Sequence, residues 1–216
     1  DRSTYLMMPG GSSPLGTLGF VNAALELKEQ VERGEMPEPD HIFTACGSAG
    51  TAAGLALGVS LAGLKSRIHA VQVSFPIFSG DRALQRTAGW AWRLMAKHVK
   101  GLPRPGFEHL IPEPDYYGGL YGRTTPEGLE AVERMRAAED IQLETTYTGK
   151  TFAGLCGFAR ARGAELAGKT LLYWHTYNGR DFSKILDGMN YRDLPASLHW
   201  VFETPLPESE PSTANR

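Results

Sequence analysis

The sequence has little of what marks secreted or membrane-spanning proteins. It has only two cysteines, Cys46 and Cys156, in 216 residues. Each lies in an apolar run, so we expect core thiols rather than a disulfide framework, and a reducing, cytoplasmic compartment is favoured. The longest nearly uncharged stretch, residues 51–64, is too short to cross a bilayer and is rich in small residues. No membrane segment is therefore predicted.

An excess of charge of either sign is also missing. The chain has 22 basic and 24 acidic side chains, a formal net charge of -2. Nucleic acid and anionic membranes are therefore not expected as partners. A small molecule is the expected partner. With 42% hydrophobic residues the chain can bury a core as one globular unit. It begins at Asp1 without an initiator methionine or a domain-opening feature, which predicts a fragment.

Apolar, β-prone runs alternate with longer segments of helical period. Strands are predicted at residues 5–8, 41–45, 68–74 and 170–175, and helices at 15–33, 52–64, 82–97, 126–139 and 148–162. This alternation predicts a three-layer α/β/α fold around a mainly parallel sheet. A proline-rich connection is expected at residues 100–119. Residues 1–205 would form the domain, and residues 206–216, rich in Pro, Ser and Glu, a disordered tail.

A loop of small residues lies between the second predicted strand and the helix that follows it. Its members are Gly47, Ser48, Ala49, Gly50 and Thr51. Small residues let the backbone wrap around a phosphate, and the N–H groups of a helix N-terminus together with two hydroxyls supply donors. The loop lacks the lysine of a P-loop and the glycine spacing of a dinucleotide fold. The alternative is a tight turn that simply needs small residues.

A second segment rich in glycine and serine, residues 9–20 (PGGSSPLGTLGF), precedes the first predicted helix. It could form the wall of a ligand pocket or could cap that helix. Physical reasoning alone favours the cap.

Five segments, in order, resemble the D-cysteine desulfhydrase and 1-aminocyclopropane-1-carboxylate deaminase family. They are residues 10–20, GSAGTAAGL at 47–55, Tyr121-Gly122 with PEGLEA at 126–131, YTGK at 147–150, and LLYWHTYNG at 171–179. Tyr121 and Tyr147 are 26 residues apart (147 − 121), which also fits the family pattern. The resemblance covers roughly residues 5–180.

The resemblance implies an enzyme that depends on pyridoxal 5'-phosphate and has the tryptophan-synthase-β-like architecture called fold type II. It implies a small amino-acid substrate and, for the complete protein, a homodimer. The 47–51 loop would hold the cofactor phosphate, and Thr176 would lie near the pyridine nitrogen. Tyr121, Tyr147 and Thr148 would form the catalytic group, with the tyrosine hydroxyls holding substrate and moving protons.

The family's cofactor-binding lysine lies in an earlier segment that has no counterpart here. None of the seven lysines stands in its context. Lys150 belongs to the YTGK motif, where a structural role is expected rather than bonding to the cofactor. The histidines show no metal-ligand spacing, so no metal site is predicted. His175 is expected to end a buried strand with its ring hydrogen-bonded.

Threonine at positions 148 and 176 matches the desulfhydrases, whereas the deaminases commonly have Glu and Leu there. The resemblance therefore favours elimination and deamination of D-cysteine. Tyr177 and Asn178 stand where the family begins a glycine pair, which keeps a deaminase or another amino-acid substrate open. A third alternative is a non-catalytic protein that retains the phosphate loop without the lysine.

Overall fold

The computed structural model describes residues 6–204 and contains four strands and a set of helices in alternation. The strands are β1 (His41–Cys46), β2 (Arg67–Gln72), β3 (Leu110–Glu113) and β4 (Leu171–Tyr173). The helices are α1 (Pro14–Glu32), α2 (Gly50–Ala62), α3 (Pro76–Ser79), α4 (Asp81–His98), α5 (Pro126–Glu139), α6 (Thr148–Arg162), α7 (Ser183–Leu186) and α8 (Trp200–Glu203). Short 3-10 turns lie at Pro9–Gly11, Gly163–Leu166, Tyr191–Asp193 and Ala196–Leu198.

The four strands form one parallel sheet in the order β3-β2-β1-β4. His41 pairs with Arg67 on one side of β1 and with Leu171 on the other. Because all strands point the same way, their carboxyl ends meet at one edge, where open α/β sheets place their ligand sites.

Helices cover both faces of the sheet, which confirms the predicted three-layer α/β/α fold. Ile42 and Cys46 point to one face and share a core with Leu55 of α2. Phe43 points to the other face, where its ring meets Phe158 of α6 at a centroid distance of 5.3 Å. Alternation along a strand makes these two faces opposite.

Helices α1 and α2 approach each other closely because glycines replace side chains at their contact. A Cβ atom at Gly54 would lie 2.5 Å from the carbonyl oxygen of Thr17, and one at Gly58 would lie 2.6 Å from the Cβ of Ala24. This contact fixes the start of α2, and the 47–51 loop before it, against the start of α1.

Most predicted elements are confirmed, and the differences are informative. Residues 126–139 and 148–162 are helical as predicted, and Thr125 caps α5 by accepting the Gly128 N–H at 3.1 Å. The irregular connection predicted at 100–119 is wrong in part, because it contains β3. The strand predicted at 5–8 is wrong for residues 6–8, which have no regular structure. The tail predicted at 206–216 lies outside the described residues.

Two side-chain predictions near the strands also change. Cys46 is buried as expected, whereas Cys156 is only half-buried. The prediction for His175 is wrong in its first part, because β4 ends at Tyr173 and the histidine is exposed, whereas its ring is hydrogen-bonded as expected, with Nδ1 accepting the Tyr177 N–H at 3.5 Å. No helix within residues 6–204 is both long and apolar enough to cross a membrane.

Candidate active site

The 47–51 loop joins the carboxyl end of β1 to the start of α2, as the sequence predicts. The first bond within α2 runs from the Ala53 N–H to the Ala49 carbonyl at 2.9 Å. The N–H groups of Gly50, Thr51 and Ala52 therefore need acceptors from outside the helix. The cap residue Ala49 makes no side-chain cap bond. The start of α2 thus presents N–H donors and a helix dipole to an anion.

Ala49 has a left-handed backbone, with φ of 66°. This conformation is uncommon for a residue with a Cβ atom, and such residues cluster at active sites and ligand-binding loops. The loop is held on its other side by Ser74, whose hydroxyl donates to the Gly47 carbonyl. The Ser74 bond fixes the start of the loop against the segment that follows β2.

The second glycine-serine segment packs against the first loop. The hydroxyls of Ser12 and Ser48 are hydrogen-bonded at 2.7 Å, and Ser13 caps α1 by accepting the Gly16 N–H at 3.0 Å. A Cβ atom at Gly50 would lie 2.5 Å from the Ser12 hydroxyl oxygen. The segment therefore both caps α1 and lies against the 47–51 loop. Sequence reasoning favoured the cap alone, because it could not place Ser12 beside Ser48.

Tyr121 and Tyr147 lie together at the same edge of the sheet. Their hydroxyls are hydrogen-bonded to each other, and their rings meet edge to face at a centroid distance of 6.1 Å. A Cβ atom at Gly47 would lie 3.0 Å from Cε1 of Tyr147, so the Tyr147 ring rests on the start of the loop. Burial, followed by the bond to Tyr121, raises the pKa of Tyr147 above its usual value. Tyr147 is therefore protonated at neutral pH.

Glu144 positions Tyr147, a role that the motifs alone do not predict. Its carboxylate accepts the N–H groups of Thr146, Tyr147 and Thr148 at 2.7, 2.8 and 2.6 Å. The carboxylate thus caps the start of α6. An acidic residue a few positions before a helix is a usable signal for such a cap, but it is a common one.

Thr148, which the resemblance places in the catalytic group, is 2% exposed. Its hydroxyl oxygen accepts the Glu144 N–H at 2.9 Å and lies 3.0 Å from the Glu144 carboxylate. Its carbonyl accepts the Tyr173 hydroxyl at 3.0 Å. Thr148 is therefore next to the tyrosine pair in the chain, with its side chain engaged in the cap.

Thr176 lies three residues beyond the end of β4 and is exposed. Since β4 is parallel to β1, Thr176 follows the same edge of the sheet as the 47–51 loop. His175 stacks between Tyr173 and Tyr177, at centroid distances of 5.7 and 6.4 Å. The described structure gives no direct contact between Thr176 and the loop.

Lys150 is fully buried, and its ammonium donates to the Tyr117 carbonyl at 2.7 Å. Burial lowers the pKa of Lys150, with Arg123 adding to the effect and Glu144 opposing it. The bond ties α6 to the segment after β3. This supports the structural role expected for Lys150. Within residues 6–204, no group of three or more His, Cys, Asp or Glu side chains could hold a metal ion.

A loop of small residues between strand and helix, with free N–H groups at the helix start, suits an anion such as a phosphate group. Residues 1–176 match the family model described as pyridoxal-phosphate dependent enzyme. The chain belongs to this family.

Relatives within the family agree with the resemblance drawn from the motifs. A Pyrococcus horikoshii protein provisionally named 1-aminocyclopropane-1-carboxylate deaminase is 37% identical over 177 residues, covering 81% of this chain and 49% of its own length. A Pyrococcus furiosus protein of the same provisional name is 32% identical over 183 residues, covering 81% of this chain and 50% of its own length. A crystal structure of an ACC deaminase homologue superposes with a TM-score of 0.65 at 34% identity, covering 81% of this chain and 49% of the other. The chain thus spans about half the length of the relatives it matches.

The residues present fit the phosphate of pyridoxal phosphate. The uncapped start of α2 offers N–H donors, and the cradle has no carboxylate among residues 47–51. The space is small enough that a single Cβ at Gly50 would disturb it.

Proposed function

We propose that this chain forms the phosphate-binding half of a pyridoxal-phosphate-dependent enzyme that breaks down a small amino acid by elimination and deamination. The observation that carries the proposal is the meeting of the 47–51 loop with the Tyr121–Tyr147 pair, where the Tyr147 ring lies against Gly47. In this proposal Ser48, Gly50 and Thr51 hold the phosphate, and Ala49 shapes the loop. Thr176 faces the cofactor ring from the end of β4.

Each tyrosine would act through its hydroxyl. When bound, pyridoxal phosphate supplies an electron sink for a carbanion at the substrate Cα. The raised pKa of Tyr147 keeps its proton on the hydroxyl oxygen, so this hydroxyl can donate a hydrogen bond to a substrate group. Because Tyr121 is 49% exposed, it is the member of the pair that can meet an entering substrate.

For the substrate we propose D-cysteine or a close analogue, on the threonine pattern at positions 148 and 176. A second candidate is 1-aminocyclopropane-1-carboxylate, and two observations favour it. The relatives carry that name provisionally, and the Thr148 hydroxyl is engaged by Glu144 rather than directed at the tyrosine pair. Assaying the products of the longer protein that contains this chain would distinguish the two substrates. D-cysteine releases sulfide, whereas the cyclopropane substrate releases only ammonia with its keto acid. For the longer protein we also propose a homodimer.

The phosphate role of the loop is tested by replacing Gly50 with aspartate. The new carboxylate would both collide with Ser12 and repel phosphate. We expect the affinity for pyridoxal 5'-phosphate to fall at least roughly tenfold, a loss of about 1.4 kcal/mol, while the affinity for pyridoxal, which lacks the phosphate, changes little. Equilibrium dialysis with both ligands measures the ratio.

Gly89→Asp is the matched control, because nothing lies within 4 Å of a Cβ atom at Gly89 on α4. This variant introduces the same charge away from the loop and should keep the wild-type ratio. An unchanged ratio in Gly50→Asp would remove the loop from the phosphate site.

A further inference from the structure

A polar cleft that is separate from the candidate active site lies between α6 and the sheet, on the face opposite α2. Its volume is about 300 Å³, and its walls include His41, Arg67, His69, Glu113 and Arg162. None of its lining residues belongs to the 47–51 loop or to the tyrosine pair. Neither the resemblance nor the proposed function gives these residues a role.

The cleft is built around a buried histidine with both ring nitrogens engaged. His69 is 2% exposed, and its Nδ1 lies 2.8 Å from Oε1 of Glu113 while its Nε2 lies 2.9 Å from Nδ1 of His41. Phe43 stacks on the His69 ring at 4.3 Å, and Phe158 meets it edge to face at 4.8 Å. The His69 ring is therefore held by two hydrogen bonds and two aromatic contacts.

The two ends of the cleft carry opposite charge. Arg67 begins β2 beside His41, and Arg162 ends α6. The pKa of His41 is lowered by burial and His69, and Arg67 and Arg162 add to the effect while Asp40 opposes it. Both arginines thus act on the His41 end, where Nη1 of Arg162 also lies 3.4 Å from the Glu165 carboxylate.

The other end is negative. Glu113 ends β3 opposite Val71, and Asp115 follows it. The pKa of Tyr116 is raised by burial, with Glu113 and Asp115 adding to the effect and Arg160 opposing it. His41 and Glu113 are hydrogen-bonded to opposite nitrogens of the His69 ring, so the two ends of the cleft are separated by little more than this ring and its two hydrogen bonds.

We propose that this cleft binds a small dipolar amino-carboxylate, with its carboxylate at Arg67 and Arg162 and its ammonium at Glu113 and Asp115. A plain anion would meet the two carboxylates, and a plain cation would meet the two guanidinium groups. An extended ligand with separated charges satisfies both ends and lies along Ile111 and Phe158. Glycine at 157 keeps the wall open, since a side chain there would collide with the Tyr116 hydroxyl. This proposal does not rest on the proposed function.

The test titrates the purified 216-residue chain at pH 7 with three probes of equal length: 5-aminopentanoate, pentanoate and pentylamine. The imidazole proton resonances of His41 and His69, assigned from His41→Gln and His69→Gln, report binding inside the cleft and not at the phosphate loop. We expect 5-aminopentanoate to bind at least about tenfold more tightly than either singly charged probe, because each end supplies a charge-assisted hydrogen bond.

Two variants and one control complete the test. Arg67→Ala should weaken 5-aminopentanoate binding roughly tenfold and leave pentylamine binding unaffected. Asp115→Asn should also weaken 5-aminopentanoate binding, because it removes a charge that faces the ammonium group of the ligand. Arg86→Ala removes an arginine from α4, outside the cleft, and should change nothing. Equal affinity for pentanoate and 5-aminopentanoate, or titration without a shift of either histidine, would overturn the proposal.

Discussion

The close contact of α1 and α2 predicts a measurable cost for adding one methyl group at Gly58. A Cβ atom there would lie 2.6 Å from the Cβ of Ala24, 2.7 Å from the Val21 carbonyl oxygen and 3.1 Å from the Val21 Cα. The last two atoms belong to the backbone of α1, so no side-chain rotation can relieve the contact. The helix would have to move.

The magnitude follows from two opposing effects. Alanine is favoured over glycine in a helix interior by about 1 kcal/mol, and overpacking a core costs about 1–3 kcal/mol. Because the contacts of Gly58 are with backbone, we expect the upper part of that cost and a net loss of about 1–2 kcal/mol in the free energy of unfolding.

Urea denaturation followed by circular dichroism measures this loss. The control is Gly89→Ala in α4, where a Cβ atom would meet nothing within 4 Å. The control should gain up to about 1 kcal/mol from helix propensity alone. If Gly58→Ala were as stable as Gly89→Ala, the helices could not be in the contact described, and the position of the 47–51 loop would lose its support.

Two further predictions concern α6 and the cleft beneath it. Removing the α6 cap with Glu144→Ala should lower the free energy of unfolding by about 1–2 kcal/mol. The control Glu139→Ala, at the exposed end of α5, should have little effect. Equal losses of the two variants in urea denaturation would contradict the capping role. The lowered pKa of His41 means that the folded chain binds a proton there less readily than the unfolded chain, so stability should fall as pH drops below 6.5. His41→Gln should lose less between pH 7 and pH 5, and identical pH profiles in thermal unfolding would refute this contribution.

The sequence predicts the long helices well because several local signals agree. For α5, Thr125 supplies the cap, Pro126 occupies the first turn where its missing N–H costs nothing, and the helical period runs to Glu139. For α2, the small residues needed at its contact with α1 also marked it as a buried helix. In both cases the local preference and the final packing favour the same structure.

Strand β3 could not be predicted in the same way. It has four residues, includes Pro112, and follows a connection with several prolines. Proline is tolerated there because β3 is the edge strand and pairs only with β2 within the described sheet. The pairing of Ile68 with Leu110 therefore depends on a tertiary contact that no local pattern reveals.

In the candidate site, too, some features can be predicted from local sequence and others depend on tertiary contacts. The motif at residues 47–51 and the two tyrosines could be found from the sequence, because the resemblance supplied them in order. The Ser12–Ser48 bond and the Glu144 cap could not, since each depends on which segments meet after folding. The cleft around His69 was missed for the same reason: its histidines stand 28 residues apart and on different strands.

These contacts change how a threonine at position 148 can influence the substrate. The Thr148 hydroxyl and N–H are both bonded to Glu144, and the same carboxylate holds the N–H of Tyr147. A substitution at 148 would therefore act first on the cap, and through it on the Tyr147 ring that rests on Gly47. By contrast, the Thr176 side chain is exposed beyond β4. Of the two threonines, Thr176 is thus the one exposed to solvent, and a change at Thr148 would act through the position of Tyr147.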